Sequence, residues 1–531
     1  MFKDYNMNQL VLPLDLEVRL QENDIAFAVH HLVESIPDDV FDPFMRTTGC
    51  PAYHPRMMMK IILCAYTQSV FSGRKIEGLL SDSLRMMWLA QGNAPSYRTI
   101  NRFRVHPAVT PILKQAFVTF RCHLVEMGEI NEEAIFIDGT KLEANANRYT
   151  FVWRKSIERH SSSLVDKSNR IYDDLVEQDI LPEIERESPD ELTLSELEHM
   201  GEALDAHIAS INQKIEASSD TQERKRLRSE RKEPRLLRKE ITDFIERKQR
   251  YALQKRTLAG RNSYSKTDTD ATFMRMKEDH MQNGQLKPGY NVQIATEGQY
   301  TLAYDIYPNP TDARTLLPFL DEISSYLPLP PHIVADAGYG SQENYQDILM
   351  RRGRIPLIPY TMFEKEKSRK WRNDPFNTAN WSYDERSDRF VCPNGQDVTF
   401  RYMSKRTDRY GFTRDFKVYE SEGCDGCPFR SRCTKAKEGR HRQVHINTSW
   451  EEQKEQMKKW LSDQKTGSLY AKRKIDVEPV FGYLKANLSF TRFSVRGKAK
   501  VKRELGFILM AVNLRKWLIQ SVARRATDER Q

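Results

Sequence analysis

The order of apolar and polar residues predicts helices through residues 15–130. Asp24 stands before an apolar run, and Asp is a preferred N-cap residue. Pro55, a residue favoured in the first turn of a helix, stands before a second apolar stretch. Ser96 can cap a further short helix. The pattern therefore predicts an N-terminal helical domain at residues 1–130.

The short helix after Ser96 is expected to expose a basic and polar face around a buried one. The exposed set would be Arg98, Asn101, Arg102 and Arg104. Short helices that end in a basic one are compatible with helix-turn-helix DNA binding. We predict DNA contacts for the three arginines, and the alternative is a helical domain that binds nothing.

From residue 134 the pattern changes to short apolar strands separated by turns, which is typical of an α/β fold. The strands are predicted at residues 134–137, 290–295, 301–306 and 332–335. The first is expected to end in Asp138 and a glycine turn, and the last ends in Asp336 with glycines after it. The predicted sheet domain comprises residues 131–152 and 263–375.

Residues 153–262 interrupt this sheet with apolar residues at spacings of three and four. Residues 166–205 hold fourteen acidic and three basic residues, whereas residues 221–262 hold fifteen basic and six acidic ones. An acidic helix followed by basic ones predicts a charge-paired antiparallel hairpin or coiled coil. This insertion could offer extra DNA or synapsis surface, or could simply pack on the sheet.

Net charge and hydropathy indicate which kind of partner and which cell compartment to expect. The formal net charge is +9, and residues 492–525 hold ten basic residues and one acid. Concentrated positive charge favours a polyanionic partner, and a solvated charged surface is the alternative. We find no apolar run of the roughly 20 residues that cross a bilayer and no secretory signal pattern. The expectation is a soluble, cytoplasmic protein without a membrane partner.

Two strands that end in carboxylates suit a two-metal phosphoryl-transfer site, because strand ends are rigid and Mg²⁺ prefers hard oxygen ligands. Glu478 is the candidate for a third carboxylate. Lys474, Glu478 and Lys485 would share one broad face of a continuous helix, where a phosphate could dock. Each aspartate could instead be a turn former or a cap.

Several separated motifs in order make the chain resemble the DDE transposases of bacterial insertion sequences, with an InsH-type N-terminal domain. The motifs are residues 71–77, 95–104, 138–141, 287–293, 309–313, 335–339 and 470–485. The resemblance implies an RNase H-like mixed sheet with two Mg²⁺ or Mn²⁺ ions. It also implies cleavage and strand transfer on double-stranded DNA, at the terminal inverted repeats and at a target. A homodimer on DNA is expected.

By the same resemblance, Asp138, Asp336 and Glu478 form the catalytic triad within the core and its C-terminal helices, residues 451–531. The tyrosine and first cation of the family signature map to Tyr470 and to Lys474, with Arg473 the adjacent choice; Lys485 keeps its spacing from Glu478. A rival third ligand is Glu504, which we expect to be exposed and salt-bridged. The alternatives to a transposase are a catalytically silent DNA-binding relative and an RNase H-like nuclease without strand transfer.

Cysteines cluster in residues 376–450, which we predict to form a small Cys-rich, zinc-ribbon-like insertion. The four thiolates that could hold a structural Zn²⁺ are those of Cys392, Cys424, Cys427 and Cys433. His441 and His445 are fallback ligands. The alternative is a set of reduced, buried thiols.

Basic and aromatic residues interleave in residues 489–498. We predict that Arg492, Arg496 and Lys498 contact DNA phosphates, together with Lys474 and Lys485. The alternative is a basic loop before the last core helix.

Overall fold

The computed structural model describes residues 20–44, 52–183, 186–276 and 284–528. Parts of the predicted domains 1–130, 153–262, 263–375 and 451–531 therefore lie outside the described residues. The chain divides into two compact units, one of Met1–Leu142 with Asn291–Gln531 and one of Glu143–Tyr290. The second unit contains the predicted insertion.

Helices fill the first part of the chain, as the apolar pattern predicted. They are α1 (Ile25–Glu34), α2 (Pro55–Thr67), α3 (Gly73–Asp82), α4 (Leu84–Ala90), α5 (Tyr97–Val105) and α6 (Val109–Glu126). Asp24 caps α1 by accepting a hydrogen bond from the Ala26 amide at 2.9 Å, and Pro55 begins α2. Every residue of α2 is buried, so this helix lies in the core.

The strands begin after α6. In chain order they are β1 (Ala134–Glu143), β2 (Phe151–Trp153), β3 (Ser263–Ser265), β4 (Thr272–Arg275), β5 (Leu286–Glu297), β6 (Tyr300–Tyr307), β7 (His332–Ala335), β8 (Ile355–Leu357), β9 (Ser382–Asp384), β10 (Arg389–Val391), β11 (Asp397–Thr407), β12 (Thr413–Ser421) and β13 (Gln443–Ile446).

A mixed sheet forms the centre of the first unit, in the order β6–β5–β1–β7–β8. β5 and β6 are antiparallel, whereas β1, β7 and β8 run parallel. The strands predicted at 290–295, 301–306 and 332–335 are confirmed within β5, β6 and β7. The protein is therefore a mixed α/β fold, as expected.

The prediction that the first strand ends at Asp138 is wrong, because β1 continues to Glu143. Gly139 does not adopt the left-handed conformation of a turn. Pairing with β7 covers only Ala134–Ile137 of β1, so β5 is the neighbouring strand that can keep the later residues extended.

Long helices dominate the second unit: α7 (Arg154–Glu177), α8 (Leu194–Ala217), α9 (Thr221–Glu230) and α10 (Lys232–Leu258). The hairpin prediction is wrong in one respect, since α7 joins α8 and α10 around a shared core. Leu164 and Leu175 of α7 pack there with Met200 of α8 and Phe244 of α10. The expected charge pairing between acidic and basic helices includes Arg238 Nε on Asp205 Oδ2 at 2.8 Å.

Short strands and helices complete the first unit. The helices are α11 (Leu316–Ser324), α12 (Gln342–Gln346), α13 (Phe363–Glu366), α14 (Arg369–Arg372), α15 (Arg430–Cys433), α16 (Thr448–Ser462), α17 (Gln464–Ala471), α18 (Arg473–Gly482) and α19 (Lys498–Asp528). β9 to β13 form an antiparallel sheet with a small core of its own around Val398 and Tyr419.

The last helix, α19, passes the length and composition test for a membrane span over Lys498–Arg524. However, 56% of its most apolar window is buried inside the protein. Leu505, Ile508, Leu509 and Val512 are all buried, as predicted. Such a mostly buried apolar helix is typical of a protein core.

Candidate active site and nucleic-acid surfaces

Asp138 and Asp336 directly follow the paired residues of two neighbouring parallel strands. β1 and β7 pair with Ile137 opposite Ala335, and each aspartate is the next residue. Adjacent strands lie about 4.8 Å apart, and matching positions of parallel strands face the same side. Both aspartates are part-buried. Both carboxylates also act on the Tyr339 hydroxyl, so two of the three predicted metal ligands lie near the same buried side chain.

Local backbone amides orient both carboxylates. Asp138 Oδ1 accepts a hydrogen bond from the Gly139 amide at 2.7 Å. Asp336 Oδ1 accepts one from the Gly338 amide at 2.8 Å and so caps the short helical turn that follows β7. The cap that the sequence offered as an alternative for Asp336 is therefore present, on a residue whose neighbour is a second carboxylate.

The segment around α18 lies against β1. Arg473 Nη1 is 3.6 Å from Asp138 Oδ2, and Lys485 Nζ donates to Thr140 Oγ1 at 2.8 Å. Asp138 and Thr140 are alternate residues of one strand and therefore face the same side. The chain between Arg473 and Lys485, which includes Glu478, lies over the face of the sheet that carries the aspartates.

Glu478 itself is exposed on α18. Within the described residues, no group of three or more His, Cys, Asp or Glu side chains is arranged to hold a metal ion. The structure thus brings Asp138 and Asp336 together, and it does not bring the Glu478 carboxylate into the same group.

Of the two cations considered for the family signature, Arg473 contacts Asp138, and Lys474 is exposed. Tyr470 lies close to the positive charge of Arg473 and to the negative charge of Asp336. Burial raises the pKa of Tyr470, the Arg473 guanidinium opposes that rise, and the negative charge of Asp336 adds to it. Tyr470 and Arg473 therefore form the wall of the site next to the aspartates.

A polar layer packs beside the aspartates; we use this name for Asn291, Gln293, Asp312 and Tyr339. Asp312 Oδ1 accepts hydrogen bonds from Asn291 Nδ2 at 2.7 Å and from Gln293 Nε2 at 3.1 Å. The Tyr339 hydroxyl donates to Gln293 Oε1. Burial raises the pKa of Tyr339 well above its usual value, and the negative charges of Asp312, Asp138 and Asp336 raise it further. Tyr339 therefore stays neutral and acts as a donor.

Gly139 makes room for this layer. A Cβ at this position would lie 2.8 Å from Asp312 Oδ1 and 3.0 Å from the Tyr339 hydroxyl. We expect Gly139→Ala to destabilise the protein by about 1–3 kcal/mol, the usual cost of overpacking, as measured by urea denaturation. The control is Gly78→Ala in α3, where an added Cβ meets no described atom within 4 Å. Equal stability of both variants would contradict the packing described for Gly139.

Sequence reasoning missed the roles of the polar layer. Residues 287–293 and 309–313 carried the resemblance, but no role was predicted for Gln293 or Asp312. The available signal was the alternation of Asn291 and Gln293 with apolar residues in β5, since buried amides require hydrogen-bond partners.

The prediction that Arg104 is exposed on α5 is wrong, whereas Arg98 and Arg102 are exposed. Arg104 is 6% exposed, and its Nη1 donates to the Tyr66 hydroxyl at 2.9 Å and lies 3.8 Å from Glu504. The Arg104 guanidinium binds groups inside the protein, so Arg104 is not a candidate for DNA contact.

The prediction of an exposed Glu504 is also wrong, since this residue is 0% exposed. Its Oε2 accepts a hydrogen bond from the Ser494 amide at 2.9 Å. Glu504 therefore connects the last helix, α19, to Arg104 of α5 and to the loop before α19. Its contacts stabilise the protein core.

In segment 489–498 the basic residues are exposed, whereas the aromatic residues are buried. Arg492, Arg496 and Lys498 are exposed. Phe490 and Phe493 are buried, with ring centroids 5.5 Å apart. The aromatic rings anchor the segment to the core, and the basic side chains reach the surface.

All four clustered cysteines line one small cavity of about 20 Å³; they are Cys392, Cys424, Cys427 and Cys433. Arg442 donates from Nη1 to Cys433 Sγ at 2.8 Å and from its backbone amide to Cys424 Sγ at 3.3 Å. Among the described residues that line this cavity there is no histidine. His445 instead contacts Arg406; burial lowers the pKa of this histidine, and the Arg406 charge lowers it further.

Comparisons with known proteins match two segments of the chain. Residues 391–518 match the family model described as a transposase DDE domain, and residues 14–106 match a transposase domain (DUF772). The first match includes Glu478 and the four clustered cysteines; the second includes α5. Asp138 and Asp336 lie outside both matches. No curated protein and no solved structure matches the chain.

These two matches confirm the resemblance to a DDE transposase of an insertion-sequence type. They support a transposase function and therefore a DNA partner.

Proposed function

Starting from this relationship to the DDE transposases, we propose that the chain binds the ends of its own insertion sequence, cleaves the DNA there and transfers the freed strand to a target. It would act in the bacterial cytoplasm, as a homodimer that holds two terminal inverted repeats. The observation that carries the proposal is the pair of part-buried carboxylates, Asp138 and Asp336, which directly follow the paired residues of β1 and β7.

The strand order supports an RNase H-like catalytic core. An antiparallel pair, β5 and β6, stands on one side of the parallel strands β1, β7 and β8. This is the mixed sheet that the resemblance implies. Asp138 belongs to β1 and Asp336 directly follows β7, and such neighbouring central strands are rigid supports for a catalytic group.

The donor chemistry at the aspartates fits Mg²⁺ or Mn²⁺, since both carboxylates are hard oxygen ligands. DDE transposases generally use Mg²⁺. When bound, two divalent ions would act as Lewis acids that ease deprotonation of the attacking water or 3′-hydroxyl and stabilise the negative charge on the leaving oxygen. The aspartates contribute fixed negative charge on one rigid face.

Arg473 and Lys485 supply positive charge at the same face. Arg473 Nη1 lies 3.6 Å from Asp138, and Lys485 Nζ contacts Thr140. Both can bind backbone phosphates and thereby position the strand that is cut. Phosphate contacts of this kind carry no sequence information, so recognition of the element ends needs another surface.

Glu478 is the third carboxylate of the proposal. It stands on α18 between Arg473 and Lys485 and is open to solvent. Glu504 is the weaker choice, because it is fully buried and already accepts a hydrogen bond from the Ser494 amide.

The proposed DNA-contacting residues share exposure and positive charge. They comprise Arg98 and Arg102 on α5, Lys474 on α18, and Arg492, Arg496 and Lys498 before and at the start of α19. Binding through such residues is expected to weaken steeply with salt.

A target-joining assay tests the function. The full chain is incubated with a labelled duplex from the flank of its gene, a plasmid target and Mg²⁺ or Mn²⁺. A transposase cleaves the duplex at the element end and joins the label to the plasmid. Cleavage without joining would identify the nuclease alternative. Salt-sensitive binding without cleavage, even with two ends supplied, would identify the silent DNA-binding relative.

For the Cys-rich region, we propose a structural Zn²⁺ held by the four cysteines around the cavity described above. Four thiolates form a common closed zinc site. In the described residues the four sulfurs are not arranged as a metal-binding group, so the ion would have to draw them together. Arg442 donates to the sulfurs of Cys433 and Cys424, and hydrogen bonds of this kind orient the ligands of a metal site. The ion would fasten the loops of this antiparallel sheet.

Metal analysis of the purified protein tests the zinc proposal. We expect about one zinc per chain in the wild type, and loss of that zinc in Cys424→Ser/Cys427→Ser. The control is Cys122→Ser, which changes an exposed cysteine of α6. Zinc content that is the same in all three proteins would discard the site.

A further inference from the structure

Five basic residues form a straight row on α9 and α10. We call them the cation stripe: Arg224, Arg228, Lys232, Arg235 and Lys239. They follow one another at intervals of four, four, three and four residues. At about 100° per residue these positions fall within a sector of about 80° on a helix. Such a row lies on one side of the helix.

The helical path continues from α9 into α10, so the stripe is not interrupted. Arg231, the junction residue, has helical angles of φ −65° and ψ −18°. Its amide bonds to the Leu227 carbonyl at 3.0 Å, and its carbonyl accepts from the Arg235 amide at 3.4 Å. From Arg224 to Lys239 the stripe is about 22 Å long, at about 1.5 Å per residue.

All five side chains are exposed. In the part of the chain that the structure describes, none of them forms an ion pair or a side-chain hydrogen bond. Other cations of the same helices do: Arg226 pairs with Glu223 at 2.7 Å, and Arg238 pairs with Asp205 at 2.8 Å. Internal charge matching therefore uses the neighbouring cations and leaves the stripe out.

The acids just beyond the two ends of the stripe already have partners: the Gln222 amide donates to Asp220 Oδ1 at 2.9 Å, and Arg247 pairs with Asp243 at 2.7 Å. The acids within its span lie elsewhere on the helix. Glu230, Glu233 and Glu240 are exposed, but their positions fall outside the sector of the stripe. Like charges three or four residues apart destabilise a helix by about 0.2–0.5 kcal/mol per pair. A row of them is a net cost to the isolated protein, and a polyanion bound along the row would remove that cost.

We propose that the cation stripe binds the phosphate backbone of duplex DNA, as a sequence-independent surface of the second compact unit. The inference rests on the proposed function, because DNA is the polyanion on which a transposase acts. Duplex DNA carries one negative charge per about 1.7 Å of its axis, so a row about 22 Å long can contact several phosphates at once. The helical insertion would then enlarge the DNA-binding surface.

The test compares two full-length variants with the same change in net charge. The first replaces the five stripe residues by Gln. The control replaces five other exposed cations of the same unit by Gln: Lys155, Arg159, Lys167, Arg170 and Arg256. The probe is a labelled duplex unrelated to the element ends, and its affinity is measured over a range of salt concentrations. Circular dichroism checks that both variants keep their helices.

We expect the stripe variant to bind the probe at least about tenfold more weakly. The slope of log affinity against log salt should fall by about 0.9 for each lost phosphate contact. The control should change much less. Equal losses in both variants, or no loss in the stripe variant, would overturn the proposal.

Two further outcomes have a defined meaning. A stripe variant that changes its oligomeric state without DNA and keeps its salt slope would overturn the proposal in favour of contact with a second copy of the chain. End cleavage by the wild type is measured in parallel. A wild type that cleaves ends while the stripe variant binds normally refutes the stripe alone, whereas a wild type that binds no duplex refutes both proposals.

Discussion

Asp138→Asn and Asp336→Asn are each expected to abolish cleavage at the element end. Each change removes one negative charge from the two carboxylates that directly follow the paired residues of β1 and β7. Changes in groups that merely support metal ligands cost about 10–100-fold, so loss of a ligand should cost more. The measurement is the cleavage rate of a labelled end duplex in Mg²⁺ or Mn²⁺.

Binding to the same duplex should persist in both variants, because neither aspartate contributes positive charge. Asp415→Asn serves as the matched control, since Asp415 is an exposed carboxylate on β12. This control should cleave at the wild-type rate. Wild-type cleavage by both aspartate variants would remove Asp138 and Asp336 from the active site.

Glu504→Gln is expected to destabilise the folded protein by about 3 kcal/mol or more, the usual effect of breaking a buried ion pair from one side. Glu504 is fully buried, and the Arg104 side chain 3.8 Å away is 7% exposed. Without the carboxylate charge, the guanidinium keeps its bonds to Tyr66 and Phe71 but has no counter-ion in this contact.

Urea denaturation measures this effect. Arg104→Met/Glu504→Gln should recover part of the loss, because the unpaired buried charge is gone, and the cycle with each single variant isolates the pair. Asp415→Asn, which alters an exposed pair with Lys405 at 3.9 Å, should change stability by less than about 1 kcal/mol. An unchanged unfolding midpoint in Glu504→Gln would mean that the pair is not a stabilising contact.

The strands of the central sheet could be predicted from sequence, because each is a short apolar run bounded by turn residues. β7 shows this most clearly, since residues 332–335 were predicted and found. The two aspartates could be predicted as candidates because both follow such runs. Their pairing depends on the register of β1 and β7, which links distant parts of the chain and cannot be read locally.

The end of β1 was predicted wrongly because Asp followed by Gly is typical of turns. At Gly139 the missing side chain has another use, close packing against Asp312 and Tyr339. Those partners are far away in sequence. A local pattern cannot separate a glycine needed for a turn from one needed for close packing.

Arg104 and Glu504 show a second limit. Arg104 lies four residues after the buried Ile100, and Glu504 lies three residues after the buried Val501. Each charged residue therefore stands on the apolar face of its own helix, a position that signals burial. That the two compensate each other could not be foreseen, because the contact joins α5 to α19.

The most direct test of the central claim, that Asp138 and Asp336 form a divalent-metal site, is Mn²⁺ binding followed by electron paramagnetic resonance. The wild type is compared with Asp138→Asn/Asp336→Asn and with Asp415→Asn. We predict Mn²⁺ binding to the wild type and to Asp415→Asn, and its loss in the double variant. Equal Mn²⁺ binding by all three proteins would contradict the account.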